Sequence, residues 1–229
     1  MTSVPSSGEN ILALDHINLS LKSEAGSVHI LKDICLSLPK GKTVCVMGPS
    51  GSGKTTLLMV LGGIEKPTSG KVLMDGHDLT SFSEDQLAAF RRDNIGIVFQ
   101  GFHLIPTMTA LENVAVPLEF AGQRDAFAKA GAALDSVGLK ERVRHYPGQL
   151  SGGEQQRVAI ARAFAATPRL ILADEPTGNL DGETGKKVMD LMFGLCRRNG
   201  TTLVLVTHDS ALAAQCDMTI KIRDGRLLP

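Results

Sequence analysis

The chain has few aromatic residues and no net charge. Its 229 residues include no Trp, a single Tyr (Tyr146) and 8 Phe, and residues 1–53 contain none of the three. The 24 Lys and Arg residues balance 24 Asp and Glu residues, which gives a formal net charge of +0. Because a neutral chain has no bulk basic field to hold DNA or RNA, no nucleic-acid partner is expected.

Long apolar runs and paired cysteines are lacking as well. No stretch approaches the roughly 18 apolar residues that a membrane span requires. Residues 1–10 have neither a basic start nor an apolar stretch, so they are predicted to form a flexible N-terminus and not a signal peptide, with the chain in the cytoplasm. Without C-x-x-C spacing, the cysteines are expected to be reduced, buried and apolar in character, without a metal or redox role; they are Cys35, Cys45, Cys196 and Cys216.

A glycine-rich loop follows the apolar run 43–47 and leads into the apolar run 57–61. It fits the pattern G-x-x-x-x-G-K-[ST], in which backbone N–H groups at a helix N-terminus surround phosphate oxygens. Lys54 is expected on the β- and γ-phosphates, and the Thr55 hydroxyl on Mg²⁺. The predicted nucleotide-binding residues here are Gly48, Pro49, Ser50, Gly51, Ser52, Gly53, Lys54, Thr55 and Thr56.

Around this loop the pattern predicts an α/β chain. Apolar and polar residues alternate at 17–21 and 34–38, as in half-buried antiparallel strands. Continuous apolar runs at 170–173 and 202–206 predict buried parallel strands, and residues 95–99 and 70–76 predict two more strands. Helices are expected from capping-box spacings that begin at Ser83, Thr109 and Ser151 and from about residue 182 to 198. The residues after 220 predict a hairpin around Asp224-Gly225.

Three predicted strands end in polar residues: Gln100, the pair Asp174-Glu175, and His208. In an open parallel sheet, ligands bind at the carboxyl ends of the strands, so these residues are expected at the nucleotide. Asp174 and Gln100 would join Thr55 as Mg²⁺ ligands, and Glu175 would act as general base on an attacking water. Lys54, Gln100, Glu175 and His208 are the predicted catalytic residues.

Residues 150–157 (Leu-Ser-Gly-Gly-Glu-Gln-Gln-Arg) form a second phosphate-binding pattern. Ser151 is positioned to cap a helix whose first N–H groups, at Gly152 and Gly153, have no side chains to block an anion. One chain that contains one loop of each kind can complete both sites only as a two-fold dimer.

These motifs, in this order, resemble those of the ATP-binding-cassette (ABC) ATPases. The stretch from Phe99 to Val114, together with residues 173–181, is similar to a narrower branch, the ATPase subunits of lipoprotein-releasing and macrolide-exporting transporters. The resemblance covers about residues 11–228. It implies one ABC-type ATPase domain over residues 11–229, with a P-loop NTPase (RecA-like) core, an N-terminal antiparallel β subdomain and an inserted α-helical subdomain at about 101–165.

The resemblance also implies a function. An ATP- and Mg²⁺-dependent ATPase would dimerise around two ATP molecules, each held between the glycine loop of one chain and Ser151, Gly152 and Gly153 of the other. Asp181 and His208 would bridge the interface. The homodimer would power a separate integral-membrane permease that docks on the segment beginning at Phe102 and ending at Leu118, which places the chain on the inner face of the cell membrane. The alternative is that the same dimer regulates a membrane protein by mechanotransmission without transport.

One departure from the family concerns adenine. The family usually stacks an upstream aromatic on the base, whereas here a residue within 21–28 has to serve, which predicts weaker ATP binding and poorer discrimination against GTP.

Three further alternative functions are disfavoured. A small-molecule kinase would need a second substrate lid, a chromosome-maintenance ATPase would need a long coiled coil between Lys54 and Ser151, and an inactive ATP-binding switch would not keep Asp174, Glu175 and His208.

Overall fold

The protein is described by a computed structural model that covers residues 10–23 and 26–228. In chain order the elements are β1 (Asn10–Ser23), β2 (Gly26–Pro39), β3 (Thr43–Met47), α1 (Lys54–Leu61), β4 (Ser69–Met74), β5 (His77–Asp78), α2 (Glu84–Asn94), β6 (Ile95–Phe99), α3 (Ala110–Phe120), α4 (Ala126–Ser136), α5 (Gly152–Phe164), β7 (Leu170–Asp174), α6 (Gly182–Asn199), β8 (Thr202–Val206), α7 (Ser210–Ala213), β9 (Met218–Arg223) and β10 (Arg226–Leu228). The predicted flexible N-terminus lies outside the described residues, apart from Asn10 at the start of β1.

The chain divides into two compact units, Met1–Arg91 with Thr202–Pro229, and Arg92–Thr201. In the first unit, β2, β1, β4 and β5 form an antiparallel sheet in this order. Its buried side chains include Ile17, Leu19 and Ile34. The alternating patterns therefore correctly predicted antiparallel strands with one buried face.

A β-bulge interrupts the pairing of β1 with β2. Leu14 pairs with Leu36 and Ile17 with Ile34, so two residues of β1 stand opposite Cys35. Cys35 is exposed and Cys216 is half-buried, whereas Cys45 and Cys196 are buried. The prediction that all four cysteines are buried is therefore wrong for two of them. Cys35 is exposed because neighbouring residues of a strand face opposite sides, and Cys216 lies in the segment between α7 and β9.

The first unit also contains β10, β9, β3 and β8 in this order. β3 pairs in parallel with both β8 and β9, and the side chains of β8 are all buried, as its continuous apolar run predicted. β9 and β10 form the predicted antiparallel hairpin. Asp224 and Gly225 both have positive φ, at 50° and 77°, as the favoured two-residue hairpin turns require.

In the second unit, β6 and β7 pair in parallel and helices α3 to α6 supply most of the remaining structure. The predicted capping boxes are present at α3 and α5, and Ser83 and Gln86 exchange the same two hydrogen bonds before α2. α5 ends at Phe164, two residues before its predicted end, and α6 extends to Asn199.

No helix in the described part of the chain combines the length and the apolar character needed to cross a bilayer.

Candidate phosphate and nucleotide site

The glycine loop connects β3 to α1 in the first unit. Gly51 and Gly53 have φ of 74° and 99°, in the left-handed region that glycine adopts without steric cost. Gly53 is the N-cap of α1 and supplies no side-chain hydrogen bond to the helix. The first-turn N–H groups of α1 therefore have no side-chain cap, which suits a helix N-terminus that receives an anion.

Lys54 and Ser52 give the loop its polar interior. The Lys54 ammonium donates to the Gly48 carbonyl at 2.9 Å and to the Pro49 carbonyl at 2.8 Å, so its charge is held over the loop. The Ser52 hydroxyl is buried and has no hydrogen-bond partner among the described residues. A buried polar atom without a partner is unfavourable, and a phosphate oxygen in the loop would supply the missing hydrogen bond.

The C-terminal hairpin supports the loop. A Cβ atom at Gly48 would lie only 2.1 Å from the Ile222 carbonyl oxygen, so β9 packs directly against this glycine. The Gly225 N–H donates to the Ser52 carbonyl at 3.1 Å, and the Gly225 carbonyl accepts from the Lys32 N–H at 2.8 Å. The sequence pattern predicted the hairpin but not its contact with the phosphate loop.

His208 lies at the same end of the strands as this loop. β3 and β8 run in parallel with Val46 opposite Val206, so the segments that follow them, the loop and Thr207-His208, leave from neighbouring positions. The Thr207 N–H donates to the Val46 carbonyl at 3.4 Å, and the His208 side chain is exposed. The structure thus brings together two of the predicted elements, the glycine loop and His208.

The segment 21–28, in which a residue was predicted to serve in place of the aromatic, lies partly outside the described residues, since Glu24 and Ala25 are not described. Leu21 and Val28 pair across β1 and β2 and are 39% and 55% exposed. These two exposed aliphatic side chains are therefore neighbours on the sheet. Whether they receive adenine stays a prediction.

In the second unit, Gln100, Asp174 and Glu175 meet at one strand edge. Phe99 and Asp174 are register partners at the ends of β6 and β7, so Gln100 and Glu175 are the next residues of paired strands. Glu175 has φ of 45°, which is uncommon for a residue with a side chain. Such backbone strain often persists at sites where a side chain has to be held in one direction.

A buried glutamine anchors the turn that follows. The Gly178 N–H donates to the Glu175 carbonyl at 3.0 Å, which closes the turn, and Gln156 of α5 donates through Nε2 to the Pro176 carbonyl at 2.6 Å. Gln156 is fully buried among apolar residues of α5. Sequence reasoning missed it, although one amide within an apolar helix face is a signal that could have found it.

The predicted second anion site lies at the start of α5. The Ser151 hydroxyl accepts from the Glu154 N–H at 3.3 Å, and the Glu154 carboxylate accepts from the Ser151 N–H at 2.8 Å. The hydrogen bond from the Ser151 N–H is the main cause that lowers the pKa of Glu154, and the Arg142 guanidinium lowers it further. A Cβ atom at Gly153 would lie 2.4 Å from Thr184 Cγ2, whereas one at Gly152 would make only ordinary contact. Gly153 is therefore also required by the packing of α5 on α6.

Asp181 is the N-cap of α6, where its carboxylate accepts from the Thr184 N–H at 3.0 Å. This hydrogen bond lowers the pKa of Asp181. The side chain is exposed. Its predicted place at a dimer interface remains a prediction, while its capping role is a structural finding.

The segment after Gln100 is held by two side chains. Arg162 of α5 donates to the carbonyls of Phe102 and His103 at 2.9 and 2.6 Å, and burial lowers the pKa of this guanidinium. The buried Asn113 accepts from the Ile105 N–H at 2.7 Å and donates to carbonyls of the same loop. Ile105 is 38% exposed, so an ordered loop presents an apolar side chain to solvent.

The predicted metal ligands suit Mg²⁺ in their chemistry. Thr55, Gln100 and Asp174 offer a hydroxyl, a carboxamide and a carboxylate, which are the hard oxygen donors that Mg²⁺ takes together with phosphate oxygens and water. Within the described part of the chain, Thr55 is the second residue of α1 and Asp174 is the last residue of β7.

A glycine loop with an uncapped helix, a lysine over the loop and acidic residues at a strand edge define a P-loop nucleotide-binding protein. A family model described as ABC transporter matches residues 31–178. The chain belongs to the ABC transporter family.

Relatives and solved structures agree. The chain is 46% identical over 221 residues to the protein named uncharacterized ABC transporter ATP-binding protein YbbA of Escherichia coli K12, covering 96% of this chain and 97% of YbbA. It is 49% identical over 203 residues to the lipoprotein-releasing system ATP-binding protein LolD of Geobacter metallireducens, covering 88% and 90%. The dimeric ABC cassette MJ0796, bound to ADP and Pi, superimposes with a TM-score of 0.87 at 41% identity and coverage of 95% and 97%. The predicted fold class and family resemblance are thereby confirmed.

Proposed function

We propose that this chain binds and hydrolyses ATP as the motor subunit of an ABC transporter and that ATP-driven dimerisation powers a separate membrane permease. The observation that carries the proposal is that two helices begin at glycines, α1 after the uncapped glycine loop and α5 at Gly152-Gly153, so that each could receive a phosphate. A single chain has one of each kind. A two-fold dimer completes both sites, because each loop then faces the other chain's α5.

The side chains at each ATP have separate roles in binding and hydrolysis. Lys54 and the N–H groups of the glycine loop bind the phosphates, and the Ser52 hydroxyl gains a partner there. Mg²⁺, when bound to Thr55, Gln100 and Asp174, would neutralise the charge that develops on the phosphates. Glu175, held in its strained backbone conformation, takes the proton of the attacking water. His208 contacts the γ-phosphate and Asp181 of the partner chain bridges to it.

The permease is expected on the segment 102–118. Arg162 and Asn113 hold its loop, so exposed apolar atoms such as those of Ile105 are presented in one arrangement. Ile105→Asp should abolish stimulation of the ATPase by the permease and leave the basal rate unchanged. Phe127→Asp, at a 47% exposed position on α4, is the matched control. Equal stimulation of both variants would count against this docking surface. Docking there would hold the chain on the cytoplasmic face of the membrane.

The first test of the whole proposal is the oligomeric state with Mg²⁺ and ATP, measured by light scattering for wild type and Glu175→Gln. The variant keeps the size and the hydrogen-bonding capacity of the side chain but removes the base, so it should accumulate as an ATP-bound dimer while wild type stays mostly monomeric. If both chains remain monomeric at saturating ATP, the two-site dimer is wrong for the isolated subunit.

A second candidate is the same dimer acting on a membrane protein that transports nothing. The two candidates share every residue of the ATP site and differ only in the partner. Reconstitution with the permease in vesicles separates them, since only a transporter moves a labelled substrate in proportion to the ATP hydrolysed.

A further inference from the structure

Two carboxamide side chains face each other at the strand edge of the second unit. Gln100 follows β6 and Asn179 lies in the turn after β7. Gln100 Nε2 donates to Asn179 Oδ1 at 3.1 Å, and Asn179 Nδ2 donates to the backbone carbonyl of Gln100 at 2.9 Å. Both hydrogen bonds therefore connect the same two residues, and neither uses Gln100 Oε1.

The backbone carbonyl decides how both amides are oriented. A carboxamide can present either its oxygen or its nitrogen to a neighbour, and the hydrogen-bond network selects between them. The Gln100 carbonyl can only accept, so Asn179 has to turn its nitrogen toward it. The Asn179 oxygen then faces the Gln100 side chain and can only accept, so Gln100 has to donate through its Nε2. Gln100 Oε1 is consequently the amide atom left for another partner.

The lack of a side chain at Gly178 leaves room for the Gln100 carboxamide. A Cβ atom at position 178 would lie 2.6 Å from Gln100 Nε2 and 2.9 Å from Gln100 Cδ. The Gln100 carboxamide thus lies directly on this glycine, and any side chain there would displace it. The φ of Gly178 is not positive, so close approach and not backbone conformation is the reason for glycine.

We propose that Asn179 is a positioning residue that holds the Gln100 carboxamide with its oxygen, and not its nitrogen, available to the Mg²⁺ of bound ATP. The proposal rests on the function proposed above, in which Gln100 is one of the ligands of that ion. Mg²⁺ takes oxygen ligands at near-ideal octahedral positions, and an amide N–H₂ cannot replace one. A Gln100 side chain without Asn179 would adopt both amide orientations and several rotamers.

The test measures equilibrium binding of a fluorescent, non-hydrolysable ATP analogue in Mg²⁺ and in EDTA. The ratio of the two affinities is the Mg²⁺ enhancement. Asn179→Ala should lower the enhancement by about 3- to 10-fold, because the competent orientation is no longer the only one populated. The affinity in EDTA should stay within about 2-fold of wild type, since phosphate contacts of the glycine loop are untouched. Gly178→Ala, which keeps Asn179 but displaces the amide, should reproduce the loss.

The Gln100→Glu background separates positioning from a structural role. A carboxylate has oxygen at both ends, so its orientation no longer matters. Adding Asn179→Ala to Gln100→Glu should therefore change the Mg²⁺ enhancement by less than about 2-fold. An equal loss in both backgrounds, or no loss in the wild-type background, overturns the proposal. A wild-type chain that shows no Mg²⁺ enhancement at all overturns the proposed Mg²⁺-ATP site itself, which distinguishes the two failures.

Discussion

The contact between Gly48 and the C-terminal hairpin gives a sharp prediction for Gly48→Ala. The new Cβ atom would lie 2.1 Å from the Ile222 carbonyl oxygen and 2.7 Å from the Ser52 hydroxyl, both far inside ordinary contact distance. The Ile222 atom belongs to the backbone of β9, so the overlap is relieved only if the loop or the strand moves. Overpacking of this kind destabilises a protein by about 1–3 kcal/mol. For a chain of this length that corresponds to a fall in Tm of about 2–12 °C.

The displacement of the phosphate loop should also lower the rate of ATP hydrolysis. A shift of about 1 Å in the phosphate loop is expected to lower ATP turnover by about 100-fold. The matched control is Gly148→Ala, where a Cβ atom meets nothing within 4 Å. Thermal unfolding monitored by circular dichroism and a phosphate-release assay measure the two effects. If Gly48→Ala matches Gly148→Ala in both assays, the hairpin does not support the loop.

Three further predictions use other parts of the chain. Ser151→Ala removes the helix cap and should reduce the free energy of unfolding in urea by about 0.5–2 kcal/mol, whereas Ser151→Thr should retain most of it. The Thr43 N–H and hydroxyl lower the pKa of Asp217, so its stabilisation is present above the unfolded value and is lost as pH falls through the folded one. Asp217→Asn should accordingly flatten the dependence of Tm on pH between about pH 5 and pH 3, and an unchanged slope would contradict this. The absence of aromatic residues before the glycine loop predicts similar, weak affinities for ATP and GTP in fluorescence titrations, and tight selectivity for ATP would refute it.

Much of the fold was available from local pattern. The helix starts before α2, α3 and α5 follow from capping boxes, in which a side chain bonds to backbone within the same turn. The buried strands β7 and β8 follow from continuous apolar runs. These signals are readable because every interaction involved lies within a few residues.

Cysteine burial was the clearest error. Cys35 was expected inside, but it lies between Ile34 and Leu36 in β2 and is exposed. The apolar alternation at 34–38 already implied this, because neighbouring residues of a strand face opposite sides.

The residue types at each predicted phosphate site follow from the sequence alone, since the glycines, Lys54, Glu175 and Ser151 belong to short motifs with fixed spacing. How those residues are held depends on contacts that the folded chain makes. Ile222 against Gly48, Gln156 on the turn after Glu175, and Asn179 on Gln100 join positions distant in the chain. Backbone carbonyls and amides form hydrogen bonds with the groups that tertiary packing places next to them, and a short sequence motif does not specify those groups.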